Sequence, residues 1–418
     1  MNEMDVVYPR CCGIDVHKKM VVACLITPEN KDGDTKTFST MTDKLIEMKE
    51  WLLANGCTHV AMESTASYWK PVYNLLELSN IEVMVVNAQH IKTVPGRKTD
   101  VKDAEWIASL LKHGLLRGSF IPSREMRELR EIIRYRHSLI EERSRELNRI
   151  QKVLEGANIK LSSVVSDIRG KTAMAILKAL AAGEEDPEVL SEFRHGRMKC
   201  TKDDLMRALN GIVGNHQRLM IATQLRHIEY LNEEIENLDQ DIDSRMRPFD
   251  KILELLDTIP GVGKQIAQQI VSEIGVDMGQ FPSAAHLCSW AGLVPGNNES
   301  AGKRKSGKTR KGNKKLRSAL VEAANAAARK KDNYLASQYH RILARRGKKR
   351  AAVAVAHSIL TIAYHIILKE QPYIELGPNY YEARKRERIA KQSVKKLEAL
   401  GYKVIVEDTA AIVEDTVA

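Results

Sequence analysis

Apolar residues in the first part of the chain follow strand-like and helix-like spacing in turn. Two short apolar stretches, CCGIDVHKK and MVVACLIT, flank a polar turn, and a third stretch follows at 35–40. Such spacing predicts short strands joined as hairpins. Helical patterns at 45–54, 68–78 and 100–113 then alternate with the strand-like stretches THVAMES and IEVMVVN. This order predicts a mixed sheet flanked by helices.

From residue 123 the spacing becomes that of long helices. Leu and Ile recur every three or four positions at 129–154 and again at 215–246, among many charged residues. Two readings of these stripes stay open. The helices pair as a coiled coil, antiparallel in one chain or across a dimer, or each packs its apolar face on a core. The residues between them, 159–210, predict a small helical insertion.

A third pattern begins at Leu253, where two apolar helical stretches flank the turn PGVGK. This arrangement is typical of a helix-hairpin-helix, whose glycine-rich turn can present backbone N–H groups to a phosphate. A helical turn without a ligand fits the pattern equally well. Further helices are predicted at 314–330, 334–346 and 351–369, before a charged tail.

The changes of pattern divide the chain into four predicted segments, because 418 residues are too many for one ordinary core. They are an α/β domain at 1–122, a stalk of long helices with an insertion at 123–250, a helical domain at 251–371 and a charged tail at 372–418. The stalk is a candidate for oligomerisation. The predicted fold class is therefore α/β plus all-α.

Composition narrows the functional classes. Lys and Arg number 65 against 54 Asp and Glu, a net charge of +11, which fits a nucleic-acid partner better than an acidic small substrate. The six cysteines form no CxxC pair, so neither a zinc ribbon nor a disulfide framework is indicated. No signal peptide is evident, and no apolar run is expected to approach the roughly 20 residues that span a bilayer. We therefore expect a cytoplasmic protein without membrane contact.

Basic residues are densest in the segment 291–317, AGLVPGNNESAGKRKSGKTRKGNKKLR. Charge of this density cannot be buried unpaired, so the segment is either a solvated, turn-prone loop or a surface for a polyanion. A second basic cluster, between Arg341 and Arg350, is either a further backbone contact or a solvated helix end. The candidate nucleic-acid-binding residues of the first run are Lys303, Arg304, Lys305, Lys308, Arg310, Lys311, Lys314 and Lys315.

Four acidic residues stand where carboxylates need an explanation. Asp15 lies in an apolar strand, Glu63 ends another, and Asp100 and Asp103 are three apart at a helix start. Ordinary explanations also exist. Asp100 fits a helix cap with Asp103 in the first turn, and Glu63 fits a solvated strand end. His17, which is close to Asp15 in sequence, fits an exposed turn residue. As a set, oxygen ligands without a His or Cys cluster suit Mg²⁺ or Mn²⁺ and in-line phosphoryl transfer.

Six motifs carry a resemblance to a known family. GIDVHK, AMESTASYWKP, RKTDVKDAEWIA, IPGVGKQIAQQIVSEIG, FPSAAHLCSWAGLVP and ESAGKRKSGKTRKGNKKLR occur in this order. Together they resemble the DEDD-type transposases of bacterial insertion sequences, over about residues 12–135 and 253–344. The resemblance implies a RuvC-like, RNase H-like first domain in which Asp15, Glu63, Asp100 and Asp103 hold Mg²⁺.

The resemblance also implies a serine nucleophile in the C-terminal domain. The family's Ser-Ser-Gly-Gly-Lys-like segment reads Glu299-Ser300-Ala301-Gly302-Lys303 here, so Ser300 matches while its two neighbours depart. Ser306 and Thr309 are the hydroxyls that could be mistaken for it. Because about 200 residues separate Asp103 from Ser300, joint action requires a composite site, formed in one chain or between two.

The family further implies partners that composition does not reveal. They are donor and target double-stranded DNA, a structured bridge RNA that guides the choice of sites, and homodimers that pair into tetramers on DNA. A nucleoid-associated, bacterial cytoplasmic location follows. Two alternatives remain: a metal-dependent nuclease or junction resolvase that uses only the acidic quartet, and a non-catalytic nucleic-acid-binding protein.

Overall fold

The structure, a computed structural model, describes residues 5–64, 66–87, 103–196, 198–296, 298–300, 303–383 and 386–405. The chain divides into two compact units, Met1–Ile121 and Pro122–Ala418. Strands of the five-stranded sheet lie in the first unit, whereas the second is almost entirely helical. The predicted combination of an α/β N-terminal part with a helical remainder is confirmed.

A single mixed sheet organises the first unit. Its strands are β1 (Cys11–Val16), β2 (Met20–Ile26), β3 (Asp34–Ser39), β4 (His59–Glu63) and β5 (Glu82–Val86), with helices α1 (Thr42–Ala54), α2 (Trp69–Leu76) and α3 (Asp103–Lys112). The strand order is β3-β2-β1-β4-β5. The first three strands form the predicted antiparallel hairpins, and β1, β4 and β5 run parallel. Parallel neighbours require crossover connections, which α1 and α2 provide.

Helix α3 lies directly on β1. A Cβ atom on Gly13 would come within 2.2 Å of both Ala104 O and Ala108 N. Ala104, Ala108 and Cys11 belong to the apolar layer between this helix and the sheet. The sequence therefore places glycine where the helix backbone approaches the strand most closely.

Because the backbones of α3 and β1 approach so closely at Gly13, a single methyl group added there is expected to lower the stability of the first unit. Gly13→Ala is expected to destabilise the first unit by about 1–3 kcal/mol, since α3 must shift to accommodate the added carbon. Thermal or urea unfolding of the purified variant measures the loss. Gly156→Ala is the matched control, because a Cβ at Gly156 meets nothing within 4 Å. A Gly13→Ala protein as stable as the parent would contradict the packing described.

Two long antiparallel helices open the second unit. The elements are α4 (Arg124–Gly156), α5 (Leu161–Val164), α6 (Lys171–Ala182), α7 (Pro187–Ser191), α8 (Lys202–Leu209) and α9 (Asn215–Met246). Arg136 on α4 pairs with Asp239 on α9 at 2.5 Å, and Arg143 bonds Asn232 at 2.7 Å. The rising and falling residue numbers show that the pair is antiparallel within one chain. Short helices α5–α8 form the predicted insertion and share a core with α4 and α9.

The rest of the second unit is a helical assembly with one small hairpin. It comprises α10 (Asp250–Asp257), α11 (Lys264–Ile274), α12 (Ala284–Trp290), β6 (Asn298–Ser300), β7 (Lys303–Ser306), α13 (Lys314–Arg329), α14 (Tyr334–Arg346), α15 (Lys348–Lys369), α16 (Tyr380–Ala383) and α17 (Arg386–Ala399). Helices α10 and α11 flank the predicted glycine turn. Gly261 in that turn has φ +86°, and a Cβ there would lie 2.3 Å from Ala323 O of α13. Packing on α13 therefore accounts for this glycine without a ligand.

Helix α15 corrects one expectation. It is 22 residues long and apolar enough to cross a membrane by length and composition, although no apolar run of this size was expected. It is a core helix by its contacts: 56% of its apolar window is buried inside the fold. Cys288 of α12 approaches Thr361, and Tyr364 donates a hydrogen bond to Phe281 O. Neighbours on several sides explain why the helix is apolar around most of its circumference.

Candidate functional site

The strand register brings Asp15 and Glu63 together. In the parallel ladder of β1 and β4, Ile14 stands opposite Met62. One residue further on, Asp15 and Glu63 are neighbours at the carboxyl ends of adjacent strands. Both lie on the α3 side of the sheet, because side chains alternate along a strand and Cys11 and Ala61 belong to the layer under α3.

Asp103 lies at the same end of this face. Helix α3 runs antiparallel to β1, since Val7 N bonds Lys112 O at 2.9 Å at one end and Gly13 contacts Ala104 near the other. The first residue of α3, Asp103, therefore lies toward the end of β1 that carries Asp15. All three carboxylates are half-buried.

The fourth predicted acidic residue, Asp100, lies outside the described residues. Among the residues that the structure does describe, no three His, Cys, Asp or Glu side chains form a ready metal cluster. The strand register and the direction of α3 nevertheless place Asp15, Glu63 and Asp103 at one end of the sheet. Their carboxylate oxygens are ligands that suit a hard divalent cation.

His17 is a site residue that the sequence reading did not select. Its Nε2 lies 2.9 Å from Asp15 Oδ2, while its side chain remains 50% exposed and that of Asp15 only 19%. The expected exposed position is correct, but the side chain also holds the carboxylate. His17 lies just past the end of β1, two residues after Asp15, and this proximity in sequence was the available signal. His17 therefore fixes the orientation of Asp15.

Ser300 belongs to a β-hairpin and not to the turn-prone loop that its composition predicts. Strands β6 and β7 pair antiparallel, with Ser300 opposite Lys303 at the end of the ladder. Cross-strand hydrogen bonds satisfy the backbone N–H and C=O groups of this polar stretch. Lys303, Arg304 and Lys305 lie along β7.

The base of this hairpin is held by a close backbone crossing. A Cβ on Gly312 would come within 2.4 Å of Gly292 N, and Gly292 itself has φ +73°. Thr309 Oγ1 accepts a hydrogen bond from Arg317 at 2.7 Å, and the same guanidinium reaches Gly292 O at 3.3 Å. Tight packing against Gly292 therefore requires a glycine at position 312.

The remaining basic residues of the run surround the hairpin base. Lys308, Arg310, Lys311 and Lys314 are exposed and Lys315 is half-buried. Lys314 and Lys315 begin α13. Asn313 caps the amino terminus of this helix, since its side chain accepts a hydrogen bond from Leu316 N. No described acidic side chain forms an ion pair with these five. Uncompensated positive charge at the positive end of a helix dipole favours an anionic partner.

Two family models match the segments that carry these residues. A DEDD-type IS110 model, described as Transposase, matches residues 12–159, and a model described as Transposase IS116/IS110/IS902 family matches residues 253–341. The first segment contains the acidic sheet end, and the second contains Ser300 and the basic run. The chain belongs to this transposase family.

Individual relatives agree with the family. The transposase is 24% identical over 334 residues to the transposase for insertion sequence element IS1111A of Coxiella burnetii, covering 76% of this chain and 79% of the relative. It is 25% identical over 375 residues to the pilin gene-inverting protein of Moraxella lacunata, covering 86% and 96%. The enzyme class is therefore that of DNA transposases and recombinases, as the sequence resemblance implied.

Proposed function

We propose that this transposase moves an insertion sequence by cutting and rejoining DNA through a covalent serine–DNA intermediate, with Ser300 as the nucleophile. The observation that supports the proposal best is the pairing of two features within the family segments. One is the acidic sheet end of Asp15, Glu63 and Asp103, and the other is Ser300, at the end of a hairpin ladder whose second strand has the sequence Lys-Arg-Lys-Ser.

The acidic residues fit a role in phosphate activation. Asp15, Glu63 and Asp103, with Asp100, would hold Mg²⁺ or Mn²⁺, and such an ion supplies charge neutralisation at the scissile phosphate. His17 keeps the Asp15 carboxylate oriented through its 2.9 Å contact. The five-stranded mixed sheet, with an antiparallel meander leading into two parallel strands, supports the RNase H-like, RuvC-like fold proposed for this unit.

Ser300 is proposed to carry the DNA strand between cleavage and joining. Its Oγ gives up its proton and forms an ester bond to phosphorus while the bond from phosphorus to a deoxyribose oxygen breaks, and that oxygen takes up a proton and leaves as a hydroxyl. Attack by the hydroxyl of a second DNA strand reverses the exchange and releases Oγ, so no ATP is needed to conserve the bond energy. A serine hydroxyl is a weak nucleophile without such activation of its target. In this proposal the acidic residues activate the phosphate that Ser300 attacks.

The partners proposed for this reaction are DNA and a guide RNA. Donor and target double-stranded DNA would contact the basic run, of which Lys308, Arg310, Lys311 and Lys314 are exposed. A structured bridge RNA would select the sites, and homodimers would pair into tetramers on DNA. The proposed location is the bacterial cytoplasm, with the nucleoid as the place of action.

A covalent adduct assay tests the proposed function. DNA spanning both boundaries of the element is incubated with the full chain, transcripts of the flanking non-coding DNA and Mg²⁺, then denatured. We expect a protein–DNA adduct that resists denaturation, is absent in EDTA and yields a DNA-linked peptide containing Ser300 after proteolysis. Mg²⁺-dependent cleavage without an adduct would indicate the nuclease alternative, and binding without cleavage would indicate the non-catalytic one.

A further inference from the structure

A second basic surface lies where α14 meets α15. We call it the basic corner; its residues are Arg345, Arg346, Lys348, Lys349 and Arg350, and all five are exposed. No described acidic side chain pairs with any of them. Arg341 of the same sequence cluster is different, because its guanidinium stacks 3.6 Å above the ring of Tyr381. The basic corner is therefore a set of five exposed cations that form no ion pair with the acidic residues described by the structure.

The helix packing places this corner beside the known basic run. Helix α12 contacts both the start of α13, where Trp290 O accepts from Asn313 N, and the middle of α15, where Cys288 approaches His357 O. The glycine turn contacts the far ends of both: Gly261 packs on α13, and Thr258 Oγ1 accepts from Tyr373 N just beyond α15. Helices α13 and α15 thus run in the same direction.

Their amino termini consequently point toward one end of the unit. Lys348 precedes His357 by nine residues, which is roughly 14 Å of helix at 1.5 Å per residue. The corner therefore extends past the start of α13, where Lys314 and Lys315 lie. An offset of this size is comparable with the ~12 Å width of a B-DNA major groove. The cations of both helices therefore lie toward the same end of the unit.

The basic residues of α15 stand at the end of the helix where positive charge is least favourable. Lys348, Lys349 and Arg350 occupy the first turn of a 22-residue helix, at the positive end of its dipole. Cations there repel the dipole and one another, so the sequence is unfavourable for the helix alone. A polyanion removes the repulsion, whereas Arg345 and Arg346 at the end of α14 are favourably placed already.

We propose that the basic corner binds the phosphate backbone of the same nucleic-acid duplex that contacts the basic run, and so extends the binding surface beyond the hairpin. The proposal rests on the proposed function for the identity of the partner. It adds residues that the family match does not include, since that match ends at residue 341. Contacts to phosphate carry no sequence information, so the corner contributes affinity and register, not site choice.

Salt dependence of binding tests the corner. The triple variant Lys348→Gln, Lys349→Gln, Arg350→Gln is compared with the parent on a DNA duplex and on an RNA duplex of the same sequence, without divalent ions. Each lost phosphate contact lowers the slope of log K against log salt by about 0.9 on DNA. We expect a slope smaller by roughly 2–3 and at least tenfold weaker binding. Because the basic run is proposed to bind DNA, we expect the larger change on the DNA duplex, and a larger change on the RNA duplex would overturn the proposal.

A second triple variant supplies the control. Lys391→Gln, Lys395→Gln, Lys396→Gln removes three exposed cations from α17 and changes the net charge equally. Its slope should stay near that of the parent. Equal slopes for the corner variant and the parent, or for the two triple variants, would overturn the proposal. If the parent protein forms Ser300 adducts and the corner variant binds DNA as tightly as the parent, only the proposal for the basic corner is refuted. If the parent protein itself forms no adduct, the proposed function is refuted.

Discussion

Replacing Ser300 by alanine is expected to abolish the denaturation-resistant protein–DNA adduct and strand exchange, while leaving nucleic-acid binding within about twofold of the parent. The hydroxyl is the proposed nucleophile, so its removal eliminates the ester. Loss of a nucleophile costs on the order of 10⁴-fold or more in rate. The basic run remains and continues to supply the affinity. Adduct formation on denaturing gels and duplex binding at equilibrium are the two measurements.

Neighbouring hydroxyls provide matched controls for this prediction. Ser306 Oγ accepts a bond from Lys308 N at 3.2 Å, and Thr309 Oγ1 accepts from Arg317 at 2.7 Å. Both therefore have structural partners at the hairpin base. Ser306→Ala should keep its adduct, and Thr309→Ser should do so because the hydroxyl is retained. Adducts that persist in Ser300→Ala and disappear in either control would move the nucleophile to that residue.

Local patterning was sufficient to predict the first unit. The apolar strand around Asp15 and its polar turn have a strong period-two signal, and each connection is short, so the antiparallel meander followed from sequence. Asp15 and Glu63 were selected because carboxylates near buried strand residues need a reason. Their adjacency was not in the pattern, because it depends on the β1–β4 register, which is a long-range pairing.

Other features depended on tertiary context. The hairpin at Ser300 was expected as a loop, since a run of lysines has low strand propensity and only cross-strand pairing favours it. The pairing of α4 with α9 could not be predicted from the spacing of apolar residues alone, because core-facing helices and coiled-coil helices have nearly the same spacing. The buried carboxylate of Glu273 gave no sequence signal, because its partners Arg130, Arg134 and Asn313 are 143, 139 and 40 residues away.

Glu273→Ala is expected to destabilise the second unit by about 3–5 kcal/mol, because it leaves the mostly buried Arg130 guanidinium without its counter-charge. Glu273 is fully buried and binds Arg134 through both oxygens, at 2.7 and 2.8 Å. Arg130 lies 3.3 Å from the same carboxylate, and Asn313 donates to it at 2.6 Å. Burial lowers the pKa of Arg130 to about 10, so this side chain stays charged at neutral pH. The carboxylate therefore compensates the Arg130 guanidinium, which is mostly buried, and also binds Arg134, whose side chain is 39% exposed.

The effect should reach the candidate site through Asn313. This residue both binds Glu273 and caps α13, so the network joins the long helix α4 to the base of the Ser300 hairpin. Hydrogen exchange of peptides from α11 and α13, together with urea unfolding, measures the loss. The control is Asp241→Ala, which breaks an exposed pair with Arg245 and should cost at most about 1 kcal/mol. Equal stabilities for the two variants would show that the buried carboxylate does not hold this junction.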